Sequence, residues 1–162
     1  MNKVRLKIRH YIRVLYETKL KIKDKIHGKL NLEEIIEILI EVIPEEEKYI
    51  IEHINFNEEL LGHVYLEDDF TTHLMNLLKD NTNTTLIRKY CSFIEYMYKY
   101  GDSAFLNIFD VSIVEKICQD VIIWKKFGKY ISNELISYIN DDLIPHNILM
   151  ASAEKLKYNK NK

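Results

Sequence analysis

At 162 residues, with 47% hydrophobic and 30% charged side chains, the chain is long enough for one domain with a proper core and too apolar to stay unfolded. Four glycines and two prolines are too few for the tight turns of a β-sandwich or barrel, so long helices are expected. The net charge of −2 hides a sorted distribution: residues 1–30 carry ten Lys/Arg against two acids, residues 31–80 carry fourteen Asp/Glu against two lysines, and the remainder is near balance.

Two fields of opposite sign steer and select charged partners without naming them. No apolar run approaches the ~18 residues of a membrane-spanning helix, and the basic start is not followed by the apolar region of a secretory signal. Cys91 and Cys118 stand in no C-x-x-C motif and beside no histidine, which points to reduced thiols and a cytoplasmic location.

In chain order, residues 3–27 fit either a strand or a helix, and length together with the scarcity of turn residues favours the helix. Asn31 with Glu34 forms a capping box ahead of Leu32, Ile35, Ile36, Leu39, Val42 and Ile43, which recur at helical spacing. Pro44 stops that helix and opens the next, with Glu45, Glu46 and Glu47 in its first turn. Asn57-Glu58-Glu59 reads as a further helix start, residues 60–66 as irregular around Gly62, and residues 70–78 as a short helix. After the polar connector 80–85 comes a broad apolar face from Leu86 to Tyr98, opposite a stripe of Arg88, Ser92, Glu95 and Lys99, as expected of a central helix. Gly101-Asp102-Ser103 breaks it. The spacing from Val111 to Phe127 predicts one core helix closed by Gly128, and helices over 132–139 and 145–156 complete the set before a frayed tail at 157–162. The expectation is an all-α single domain spanning residues 1–162, with about seven or eight helices in a bundle or a short solenoid-like stack.

Glu33, Glu37 and Glu41 stand at i, i+4 and i+8, where like charges repel by a few tenths of a kcal/mol per pair. Glu67-Asp68-Asp69 adds a second acidic knot in an expected loop. A solvated helix face accounts for both, and so does a docking surface for a basic protein. Arg5, Arg9 and Arg13, interleaved with Tyr11 and Tyr16, fit a phosphate-tracking helix, which makes a regulatory or nucleic-acid-binding module the second reading, although the adjacent acidic segment would repel a nucleic acid. His63, Glu67, Asp69 and His73 invite a metal, but Gly62 disturbs the spacing and no Glu-x-x-His motif is present. No metal, cofactor or catalytic residue is expected, because no nucleophile elbow, zincin, P-loop or dinucleotide fingerprint occurs.

Three stretches together resemble a family of small helical bacterial proteins, many encoded beside secreted polymorphic toxins and taken to be their immunity proteins. The first is Leu32-Glu33-Glu34-Ile35-Ile36 running to Ile43-Pro44; the second is Leu60-Leu61-Gly62-His63-Val64-Tyr65-Leu66 followed by acidic residues and Thr71-Thr72. The third is Phe93-Ile94-Glu95-Tyr96 through Gly101-Asp102 to Val111-Ser112-Ile113-Val114-Glu115-Lys116-Ile117. The resemblance covers about residues 30–140, and Gly62 stands where the family tends to have proline. It implies cytosolic binding and inhibition rather than catalysis. The expected partner is a basic toxin domain, met by Glu33, Glu37, Glu41, Glu67, Asp68 and Asp69.

Overall fold

The structure, a computed structural model, describes residues 30–160. The helix expected over residues 3–27 lies outside the described residues. Among those described the fold is all-α, seven helices around one hydrophobic core.

Helix α1 (Leu32–Val42) opens with the expected capping box: Glu34 N–H donates to Asn31 Oδ1 at 2.9 Å and Asn31 N–H to Glu34 Oε1 at 3.3 Å. Pro44 then leads a short 3-10 turn (Pro44–Glu46) into α2 (Glu47–Asn57). The Asn57-Glu58 pair is a helix end and not a start. The Asn57 side chain donates back to the His53 carbonyl at 3.0 Å, and Glu58 turns the chain away in the left-handed region, at φ 62°.

Helix α3 covers residues 62–80, so the irregular stretch and short helix expected there are one continuous helix. Gly62 sits in its first turn, where glycine costs little, and it lets α3 press against α1. A Cβ at that position would lie 2.7 Å from Leu32 Cδ2 and 2.8 Å from Ile36 Cδ1. The connector after α3 is a tight turn through Asn81, and Asn83 caps α4 (Thr84–Tyr100) by accepting from Leu86 N–H at 3.1 Å. As expected for a central helix, α4 buries Ile87, Tyr90, Cys91, Phe93, Ile94 and Met97.

Asp102 caps α5, residues 103–118. The single core helix expected from Val111 to Phe127 is two. Asp120 accepts from the backbone N–H groups of Ile122 and Ile123, both at 3.0 Å, and so starts α6 (Val121–Gly128) afresh. Val111 and Val121 are consequently exposed. Helix α7 covers residues 133–146, capped by Ser132. No helix spans 145–156; a 3-10 turn (Ile148–Met150) leads instead into an extended strap.

That strap is pinned down through Asn159, against the fraying expected from residue 157. Asn140 exchanges two hydrogen bonds with the Leu156 backbone, and Asn133 does the same with Asn159, at 2.7 and 2.9 Å. Helices α3, α5 and α7 each contain a six-residue π-helical stretch, at Leu66–Thr71, Asp110–Glu115 and Tyr138–Leu143. A π turn loosens the helical ladder and is often found at functional sites. Here the stretches knit the helices together: Thr71 Oγ1 donates to the Ser112 carbonyl at 3.0 Å, and Tyr138 Oη reaches Asp110 at 2.9 Å.

Candidate functional site

The centre of the acidic segment is a buried carboxylate. From the 3-10 turn into α2 the inward positions are Ile43, Glu46, Ile50 and Ile54, so Glu46 occupies a slot that the helical period reserves for an apolar residue. It is 0% exposed, and three donors converge on it. Tyr65 of α3 and Tyr90 of α4 donate their hydroxyls, and His73 of α3 brings Nδ1 to 2.7 Å. Burial works against the charged form, but the hydrogen bonds from His73, Tyr65 and Tyr90 outweigh it, and the Glu46 carboxyl is held below its usual value. Burial and the neighbouring Glu46 charge push the Tyr65 and Tyr90 phenols far above theirs, so both stay protonated as donors.

An ionised carboxylate only accepts, so His73 donates from Nδ1 and its ring orientation is fixed. The imidazole is partly exposed, at 24%. It forms one wall of an open cavity of about 260 Å³, which Tyr49 and Tyr90 share and Glu45 and Asp80 border. Tyr49 packs on His73 with ring centroids 4.2 Å apart. Lys48 lies over Tyr49, and Lys89 stands 3.8 Å from Glu45. A Glu–His pair can orient an imidazole for proton transfer or for a metal. Among the described residues, however, no group of three His, Cys, Asp or Glu side chains is gathered to hold a metal ion.

The same α2 helix turns an aromatic outward. Tyr49, Glu52 and Phe56 recur at helical spacing, and Phe56 is 88% exposed, with exposed Glu52, Glu58 and Glu59 close in sequence.

The sequence-based site residues divide on inspection. Glu33 and Glu41 are exposed, but Glu37 is 4% exposed, so the three do not form one open face. Residues 35–39 are all buried, and five consecutive helical residues go fully round the axis. The middle of α1 is thus enclosed on every side. The knot of Glu67, Asp68 and Asp69 lies on the first π stretch and not in a loop. Glu67 and Asp68 are exposed, and Lys116 of α5 donates to the Glu67 carbonyl at 2.5 Å. Asp69 is half-buried, and burial raises its carboxyl; the charge of His73 opposes that rise and the charge of Glu46 adds to it. His63, considered for metal binding, is exposed, and Gly62 leaves the helix through it unbroken.

Sequence reasoning missed Glu46, Tyr65, Tyr90 and Phe56. The signal for Glu46 was present as its place in the apolar period. Nothing local marks Tyr65 or Tyr90 as its donors, since they come from elsewhere in the chain.

The fold and this cluster define an all-α domain with a buried acid–aromatic centre beneath a cavity of mixed charge. A family model described as a domain of unknown function, DUF7674, matches residues 36–145, and the chain belongs to that family. No curated protein matches the chain, and no solved structure does.

Proposed function

We propose that this protein is a cytoplasmic immunity protein that binds and neutralises a basic toxin domain, with the exposed side of α2 making the central contact. The observation that carries the reading is Phe56: an aromatic side chain 88% exposed near the end of α2, with exposed Glu52 one turn before it and exposed Glu58 and Glu59 just past the helix end. A large apolar side chain left in water beside charged residues is the arrangement of an interface anchor. Glu52, Glu58 and Glu59 are its acidic neighbours in sequence, and Glu33, Glu41, Glu45, Glu67 and Asp68 are further exposed carboxylates. Carboxylates speed encounter with a basic partner, while the aromatic slows its release.

Inhibition of this kind occludes the toxin surface and requires no catalytic residue or cofactor on the inhibitor. The buried Glu46 cluster then has a supporting role: it fixes α2 against α3 and α4, so that the outer face of α2 is presented rigidly. The toxin assignment rests on the sequence resemblance, and the family match carries no activity of its own.

The test is co-expression with the C-terminal domain of a secreted protein encoded beside this gene. Protection of the producing cell, lost on Phe56→Ala together with Glu52→Lys, is the expected result. Absence of such a neighbouring toxin, or undiminished protection by that variant, would overturn the reading.

A further inference from the structure

The molecule has a second cavity of opposite character, between α6 and the C-terminal strap. Its volume is about 540 Å³, within the range of small-molecule sites. Trp124, Gly128, Leu156 and Tyr158 give it an aromatic and apolar lining, and four lysines border it: Lys125, Lys129, Lys155 and Lys157. The one carboxylate there, Glu154, stands 3.4 Å from Lys125 and is thereby engaged. The walls are held in place: Trp124 Nε1 donates to the Glu154 carbonyl at 2.8 Å, and Asn159 Nδ2 donates to the carbonyls of Gly128 and Ile131 at 2.8 and 3.0 Å.

We propose that this cavity binds a small phosphorylated ligand carrying a ring system, of the nucleoside monophosphate class. Lysine ammonium groups are compact point charges suited to a multiply charged phosphate. Of the lining aromatics Trp124 is 1% exposed and Tyr158 54%, so the Tyr158 ring is the face offered to a planar ring, and the volume far exceeds what a bare phosphate would fill. A single strand of nucleic acid would require a groove several nucleotides long, whereas this site has the dimensions of one. The site is separate from the acidic face of α2, and either assignment stands if the other fails.

Trp124 is the chain's one tryptophan and its indole N–H holds the strap, so its fluorescence reports on how the strap is seated over this cavity. Titration of the full chain with adenosine monophosphate should give saturable quenching. Adenosine and inorganic phosphate should each bind at least about tenfold more weakly, and binding should weaken between about 50 and 200 mM salt. Lys155→Ala with Lys157→Ala should raise the dissociation constant about tenfold with an unchanged melting temperature, since neither side chain pins the strap. No saturable response to the nucleotide, or equal binding of adenosine, would overturn the proposal. So would tighter binding of a 5′-phosphorylated oligonucleotide than of the mononucleotide.

Discussion

The Asn140 side chain pairs with the backbone of Leu156 through two hydrogen bonds, its Nδ2 donating to the carbonyl at 2.9 Å and its Oδ1 accepting from the amide at 2.8 Å. An asparagine so placed imitates a neighbouring strand, and it holds an extended segment that has no helix or sheet of its own. Both partners are buried, so truncating the side chain leaves two backbone groups without partners.

Asn140→Ala should therefore cost roughly 2–3 kcal/mol of stability. Because Trp124 donates to the Glu154 carbonyl on the same strap, its emission should shift as the strap lifts. Limited proteolysis should then cut the C-terminal segment first. A variant with native melting, native emission and native protease resistance would show that the pin is dispensable.

Glu46 should govern stability at acid pH. Its folded carboxyl titrates below the usual 4.5, so its contribution is complete above that value and is lost as pH falls through the lowered one. Urea titrations from pH 7 downward should show this loss in the native chain and not in Glu46→Gln. Glu46→Leu removes the acceptor and leaves the buried Tyr65 and Tyr90 hydroxyls without it, which should cost about 3 kcal/mol or more. A leucine variant as stable as the native protein would mean that the cluster holds nothing together.

The two phenols give a matching expectation at alkaline pH. Tyr65 and Tyr90 titrate far above their usual 10.0, so their contribution is whole below pH 10 and declines as pH rises beyond it. Tyr90→Phe should be less stable than the native chain at pH 8 and lose less on going to pH 11. Parallel curves for the two proteins would contradict the arrangement.

Asp110 runs the other way. Burial pushes its carboxyl up to about 6, and the Tyr138 hydroxyl only partly opposes this. Its contribution is complete below the usual 3.8 and is lost as pH rises through about 6. Asp110→Asn should accordingly be more stable than the native chain at pH 7, by on the order of 1 kcal/mol after discounting for solvent screening. The difference should vanish near pH 4, and equal stability at both pH values would place Asp110 in water.

Glu33 and Glu37 should part company on charge reversal. Glu33→Lys, exposed in the first turn of α1, should cost under about 1 kcal/mol, chiefly through the helix dipole. Glu37→Lys, in the enclosed middle of α1, should cost more than about 2 kcal/mol. Equal costs by chemical denaturation would restore the view of a single exposed face.

The elements legible in the sequence were those whose signals are local. The capping box of Asn31 and Glu34, the stop at Pro44, the broad apolar face of α4 and the break at Gly101-Asp102-Ser103 are each read from residues near one another in the chain, and each is present as expected. The all-α class followed from the same source, because too few turn residues leave long helices as the remaining way to satisfy the backbone.

Where a signal had two local meanings, packing chose between them. Gly62 can break a helix or let one approach its neighbour, and contact with Leu32 and Ile36 made it the latter. Asn57-Glu58 can begin a helix or end one, and Asp120 divided an apolar run that periodicity alone left whole. The strap over residues 151–160 has no period, and it is ordered by asparagines on α7 that lie far from it in sequence.

The site belongs to this second group. Spacing can place Glu46 in line with the inner face of α2, but its donors arrive from 19, 27 and 44 residues away, and only the packing of α3 and α4 against the turn before α2 brings them together. Spacing likewise puts Glu33, Glu37 and Glu41 on one stripe but does not reveal how many sides of α1 are covered. The sequence by itself determined the all-helical class, the locally capped helix ends and where charge is concentrated, since these are properties of neighbours along the chain. Which charges face water, and which are held by buried hydroxyls, was decided by the tertiary structure, because burial depends on contacts between segments distant in sequence.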